Sequence, residues 1–168
     1  LKTLKDQIKY TFLRNGGRIG ALARARDWSD SSAGDPDNWP QTLCTIVSLI
    51  LHSRSPMFLF WSENFIQFFN DAYCDLFDEP AKVQQSFGQS ARTDWGADFN
   101  QLQKVINAVM NGESVLVKTL IERAHIRGAN SFASAEYTAV LDENGMPAGV
   151  FVQCTETLSS LVREKERE

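Results

Sequence analysis

The sequence predicts an α+β fold: a five-stranded antiparallel sheet with helices on one face, N-terminal helices before it and a C-terminal helix after it. Three observations carry the prediction. Two extended aromatic runs, MFLFW from Met57 and FIQFF from Phe65, are separated only by Ser62-Glu63-Asn64, which is hairpin spacing. Between Asp98 and Met110, residues Phe99, Leu102, Val105, Ile106, Val109 and Met110 fall on one helical face, which must cover something apolar. Three further extended runs follow, VLVKTLIERA from Val115, SFASAEYTAVL from Ser131 and GVFVQCT from Gly149. So few strands do not make a sandwich covered on both faces, so the long helix is expected across one face of the sheet.

Taken in order, the chain opens with Leu1, Leu4, Ile8 and Phe12 at helical spacing, and Asn15-Gly16-Gly17 supplies a stop. A second short helix is expected over Arg18 to Arg26. DWSDSSAGDPDNWP is dense in Asp, Ser, Gly and Pro and reads as a loop. Trp39 precedes a proline and is biased away from helical dihedrals, which puts Pro40 at the first helical position. Leu43, Ile46, Val47 and Ile50 then form an apolar stripe. After the hairpin, NDAYCDLF predicts a short helix capped by Asn70 or Asp71, with Pro80 limiting its end. Ala81 to Trp95 has mixed polarity and little period. Between the last two strands, DENGMPA contains Asn144-Gly145, suited to positive backbone dihedrals in a connection longer than two residues. The final SSLVREKERE combines Leu158, Leu161 and Val162 with opposite charges three apart, as on an exposed helix or the first turns of a coiled coil.

Composition narrows the class of protein. The chain of 168 residues is 43% hydrophobic and 23% charged, which suits a globular domain rather than a disordered segment. No apolar run approaches the roughly 18 residues needed to span a bilayer, so no membrane contact is expected of this segment. The net charge of −4 offers no basic footprint for nucleic acid. Cys44, Cys74 and Cys154 are odd in number and far apart, which fits neither a disulfide framework nor CxxC metal pairs and suits a reducing, cytoplasmic setting. The opening LKTLKDQIKY has no initiator methionine and no signal-peptide order, as expected of a piece of a longer protein.

Several residues, met in chain order, carry a resemblance. They are Phe12-Leu13 with Gly16-Gly17 and Gly20, Asp27-Trp28-Ser29, Gly34 and Pro36, Trp39-Pro40, and Leu43. The series continues through Ser53 with Pro56-Met57, Asn70-Asp71-Ala72-Tyr73, and Thr155-Glu156-Thr157. From Phe12 to Thr157 the chain resembles PAS sensor domains of bacterial and cyanobacterial two-component histidine kinases. The resemblance implies a PAS fold between helices that pass a signal into a dimeric kinase core, and therefore a homodimer with kinase domains downstream in the same chain. Where PAS domains carry an Asp-Ile-Thr exit, this chain has Thr155-Glu156-Thr157, keeping the last threonine. Thr155 and Thr157 are then the signal exit.

The residues that specific PAS chemistries require are mostly missing. Flavin photochemistry of the related LOV type needs an Asn-Cys-Arg-Phe-Leu-Gln motif, which is absent. Cys74 lies elsewhere, near a helix start but among Asp71, Asp75 and Asp78, which disfavour a thiolate. Haem-binding PAS domains use a histidine on the long helix, and none lies between Gly96 and Gly112. His52 and His125 stand apart and form no metal constellation. NGGRIG lacks the GK[ST] ending of a phosphate loop. No nucleophile with a base, and no converging carboxylate pair, marks an active site, so no catalytic role is expected of this segment.

What remains is the space that PAS domains often hold between the long helix and the sheet. Ala133, Ala135, Tyr137, Ala139 and Leu141 share one face of their strand, and Val150, Val152 and Cys154 one face of the next. The small alanines leave room for a ligand, lined by Tyr73, Trp95, Phe99, Ile106 and Tyr137. The alternative is a filled core, because interiors pack densely. The expected organisation is an N-terminal helical extension and loop over residues 1–55, a PAS core over 56–157, and the start of a connector helix over 158–168. The expected function is a sensory and dimerisation module responding to a small molecule or partner. The alternatives are a ligand-free structural module and, less well supported, a small enzyme of similar shape.

Overall fold

A computed structural model describes residues 10–113, 115–117 and 133–156. The N-terminal layer comprises a 3-10 turn at Thr11–Leu13, helix α1 (Gly17–Ala25), a second 3-10 turn at Pro36–Asn38, and helix α2 (Gln41–His52). Strands β1 (Met57–Trp61) and β2 (Ile66–Phe69) follow, then the short helices α3 (Asp71–Cys74), α4 (Pro80–Gln84) and α5 (Ala91–Asp94). Helix α6 (Phe99–Met110) leads into β3 (Val115–Val117), β4 (Ala133–Leu141) and β5 (Pro147–Glu156).

The fold is α+β and the sheet antiparallel. Its order is β2-β1-β5-β4, with the three-residue β3 pairing along the outer side of β4. Register follows from the two-residue period: Phe58 faces Phe69 and Val152, Phe60 faces Gln67 and Val150, and Tyr137 faces Val152. Phe58, Phe60, Phe69, Val150, Val152 and Tyr137 therefore share one face, which α3, Trp95 and α6 cover. Helix α6 presents Phe99, Leu102, Ile106 and Val109 to the core, as its period predicts.

The opposite face of the β1–β2 hairpin is not left to solvent. Leu59 and Phe68 are fully buried there. Phe68 packs edge-on against Trp39 at 5.2 Å and lies 6.5 Å from Trp28, while Trp28 and Trp39 meet at 5.1 Å. Each indole N–H is satisfied by a carbonyl, Trp28 by Ala23 and Trp39 by Ala33. The Asp-Ser-Gly-Pro loop thus folds as part of the core rather than as a tether, because two tryptophans bury too much apolar surface to remain exposed.

A backbone segment from Gly88 to Ala91 closes the β2 flank. Gly88 N–H donates to Gln67 O, Gln67 N–H to Gln89 O, and Ala91 N–H to Phe65 O. These bonds occupy groups that an edge strand otherwise offers to any passing chain.

Several local expectations are corrected. The opening helix does not run through Phe12: Tyr10 is left-handed with φ 62°, and only a 3-10 turn follows. Arg24 holds the chain there, donating to the carbonyls of Leu13 and Asn15 at 2.7 Å each. Residues 1–9 and the expected terminal helix over 158–168 lie outside the described residues, as does most of the VLVKTLIERA run. Pro40 sits just before α2 rather than inside it, and Pro80 begins α4 rather than only ending α3. Leu141 leaves the face of Tyr137, because the pairing of β4 with β5 shifts register between Val140 and Leu141, and it is 52% exposed.

Candidate functional site

Asn70 organises the junction between β2 and α3. It is 1% exposed, and its Oδ1 accepts from the Tyr73 N–H at 3.0 Å, the helix cap that the sequence predicts. The same oxygen also accepts from Met57 N–H at 3.3 Å. Its Nδ2 donates to the carbonyls of Ile50 at 3.0 Å, Ser53 at 3.3 Å and Ser55 at 2.8 Å. One side chain therefore ties the end of α2 to the starts of β1 and α3. Asp71, next in sequence, reaches the other way and caps α1 by accepting from the N–H groups of Arg18 and Ile19, both at 2.9 Å. Arg18 completes the link through Asp75 at 2.5 Å.

Tyr73 rings contact Phe58 at 4.8 Å, Phe77 at 5.2 Å and Phe69 at 5.3 Å. Trp95 stands edge-on to Phe60 at 5.7 Å and donates from Nε1 to Gln67 Oε1 at 2.8 Å. Phe99 meets Phe65 at 5.2 Å. Tyr137 is buried on β4, and burial, aided by Cys154, raises its phenol above the ordinary value. Ile106 is also buried but has a second role, lining a cleft of about 580 Å³ beside α6. Of the five residues expected around a ligand space, it is the one in that lining.

The cleft lies between α6, the β1–β2 turn, and the hairpin joining β4 to β5. Its apolar wall comes from Phe60, Phe65, Ile106, Met110 and Val150, and its polar rim from Glu63, Arg92, Gln103, Asn107 and Asp142. Its volume falls in the range usual for small-molecule sites, about 300–1,000 Å³. Gln103, Ile106, Asn107 and Met110 recur at helical spacing, so one stripe of α6 faces the cleft beside the stripe that faces the core. That stripe was the available sequence signal for the polar rim. Arg92 belongs to the weakly patterned Ala81–Trp95 stretch and carried no signal of its own.

Arg92 is fixed by its neighbours. Its guanidinium lies 4.8 Å from the Phe65 ring and 5.2 Å from the Phe99 ring, and it donates to Glu63 O from Nη2 at 3.1 Å and Nε at 3.4 Å.

The cysteines are buried and unpaired. Burial, reinforced by Asp71 and Asp75, pushes the Cys74 thiol up to about 12, and burial pushes Cys154 to about 12. Both stay protonated at neutral pH. His52 closes the last turn of α2, with Nδ1 2.7 Å from Ser48 O. His125 and Thr157 lie outside the described residues. Thr155 pairs with Ser134 near the end of β5.

No protein-family model matches the sequence, and no curated protein does. Solved structures do resemble it. The crystal structure of the phage VqmA–DPO complex aligns with a TM-score of 0.56 at 11% identity, over 74% of this chain and 57% of that one. The fold is PAS-like. A sensory box sensor histidine kinase from Vibrio cholerae aligns at 0.48 and 9% identity, over 70% of this chain and 93% of that one. A C-terminal domain from Streptococcus mutans aligns at 0.49 and 17%, over 69% and 85%. At 11% identity the first of these likenesses concerns the fold alone. The chain spans little more than half of the first of these structures.

Proposed function

We propose that this PAS-like chain is the sensory and dimerisation module of a two-component histidine kinase, working in the cytoplasm as a homodimer. A small molecule or partner binds it, and the change passes through its terminal helices to kinase domains of the same parent chain, which perform the phosphotransfer. The module itself catalyses nothing.

One observation carries this reading. Strand β5 begins in the cleft, where Pro147, Ala148, Gly149 and Val150 line it, and ends at the Thr155 exit. Ten strand residues span roughly 30 Å, so a small displacement at one end is delivered to the other by a stiff, twice-paired element. The Asn70–Asp71 corner supports the same reading at the N-terminal side, because it fastens α1 and α2 to the strand pair that walls the cleft.

The test is a thermal-shift screen of metabolites, with mass spectrometry of the denatured protein to detect any carried molecule. A ligand that binds only the folded state must raise Tm. At least one compound is expected to do so and to change hydrogen exchange in residues 150–156. If nothing raises Tm and nothing is carried, the protein is the ligand-free structural module instead. Sedimentation analysis checks the dimer.

A further inference from the structure

We infer that the cleft beside α6 binds the zwitterion of an α-amino acid with an apolar side chain. The assignment rests on the sensory reading above and names the ligand class for its cleft.

The rim of the cleft holds polar groups that its own neighbours do not fully engage. Arg92 spends Nε and Nη2 on Glu63 O, and its Nη1 has no acceptor among the described residues, so a guanidinium already oriented by two aromatic rings keeps donors for an anion. The Gln103 and Asn107 amides, one helical turn apart, also lack side-chain partners among the described residues, and each offers donors and an acceptor. The Glu63 carboxylate accepts no hydrogen bond among the described residues. Asp142 uses Oδ1 on the N–H groups of Asn144 and Met146, at 2.8 and 3.0 Å, leaving Oδ2.

Charge then selects the ligand. One guanidinium against two carboxylates makes the rim acidic, so a phosphate dianion would meet more repulsion than attraction, and a simple cation would face Arg92. A molecule carrying one carboxylate and one ammonium answers both signs: the carboxylate takes Arg92 Nη1, and the ammonium takes Glu63 with Asp142. The apolar floor of Phe60, Ile106 and Val150 accounts for the remainder, since a polar side chain would be desolvated there without a partner.

The test uses the 168-residue chain labelled with nitrogen-15. L-Leucine and L-phenylalanine are expected to shift the Gln103 and Asn107 side-chain amides and the Arg92 Nε–H saturably, and to raise Tm. 4-Methylpentanoate lacks the ammonium and 3-methylbutylamine lacks the carboxylate. Each is expected to bind about tenfold or more weakly than leucine, because each forfeits one charge-assisted contact. Arg92→Gln should bring leucine down to the level of the amine, and Glu63→Gln to the level of the acid. Asn107→Leu, at an exposed position with no packing role, should weaken leucine independently of any loss of ring stacking.

The inference is overturned if neither amino acid binds saturably, or if leucine binds Arg92→Gln and Asn107→Leu as tightly as the parent. The two readings fail separately. Another metabolite that raises Tm where amino acids do not removes the ligand class and keeps the sensor. Saturable leucine binding with unchanged exchange in β5 keeps the ligand class and removes the sensor.

Discussion

The Asp71 carboxylate accepts a hydrogen bond from the Ile19 N–H at 2.9 Å, so a side chain at the end of the first hairpin supplies the N-terminal cap of a helix that precedes the sheet. The first N–H groups of a helix have no intrahelical partner, and an acidic group there is favoured by both hydrogen bonding and the helix dipole. The N-terminal layer is thereby fixed to the sheet by directional bonds as well as by the Trp28–Trp39 packing.

Asn70 is expected to matter more than Asp71, because it is buried and makes five contacts with backbone groups. Asn70→Ala removes the α3 cap and strands carbonyls at the end of α2, for a predicted loss of about 2–4 kcal/mol in urea unfolding. Asn70→Asp should be no better, since it keeps the cap acceptor but turns a carboxylate oxygen toward three carbonyls. Asp71→Asn, in a half-exposed setting, should cost less than either.

Gly17 is predicted to tolerate no side chain. Its φ is +61°, and a Cβ there would overlap Asp71 Oδ2. Gly112 has φ +94° but open space around it. Gly17→Ala should therefore lower Tm by clearly more than Gly112→Ala, the difference being the damaged α1 cap rather than backbone strain, which both share. Equal shifts would show that the cap contributes nothing.

Gln67 is 1% exposed and holds Trp95 Nε1 with its oxygen, while its Nε2 reaches Asp94 Oδ2 at 3.2 Å and Gln89 O at 3.4 Å. Gln67→Leu keeps the volume but removes the side-chain oxygen that accepts from a buried indole N–H, and should cost about 1–3 kcal/mol by urea unfolding. A loss near zero would mean that Trp95 finds another acceptor.

Glu143 connects the last hairpin to α2. Its Oε1 accepts from Thr42 Oγ1 at 2.8 Å and Thr42 N–H at 3.3 Å. Hydrogen bonds from its own backbone, and then from Thr42, hold its carboxyl below the usual value. A carboxylate depressed in the folded state contributes stability above its unfolded pKa, and that contribution is lost as pH falls through the folded pKa. Tm measured from neutral pH downward should fall less steeply through the acid range in Glu143→Gln than in the parent, with Thr42→Val behaving similarly.

Much of this was readable from local pattern. MFLFW coincides with β1, the α6 stripe is the buried one, Asn70 is the cap, and Gly145 takes positive φ in the last hairpin. These features arise from period, proline and glycine geometry, or capping within a few residues. Partners distant in sequence left no such trace. Nothing near Asp71 announces that it caps Ile19, and nothing in SFGQS announces that its backbone pairs with β2. The ligand space was expected around Tyr73, Trp95, Phe99, Ile106 and Tyr137, of which Ile106 lines the cleft, whereas its polar rim comes from Glu63, Arg92, Gln103, Asn107 and Asp142. Polar residues on a helix look alike whether they face bulk water or a concavity, so only the neighbouring hairpins distinguish them.

The Gly88–Ala91 segment also limits how copies of this domain can assemble. With Phe65 and Gln67 already bonded on their outer side, a second copy cannot anneal its sheet to this one across β2 as a continued ladder. Association on that flank must proceed through side chains, where sequence can discriminate between self and paralogue. Backbone-to-backbone joining, which reads almost no sequence, is closed there.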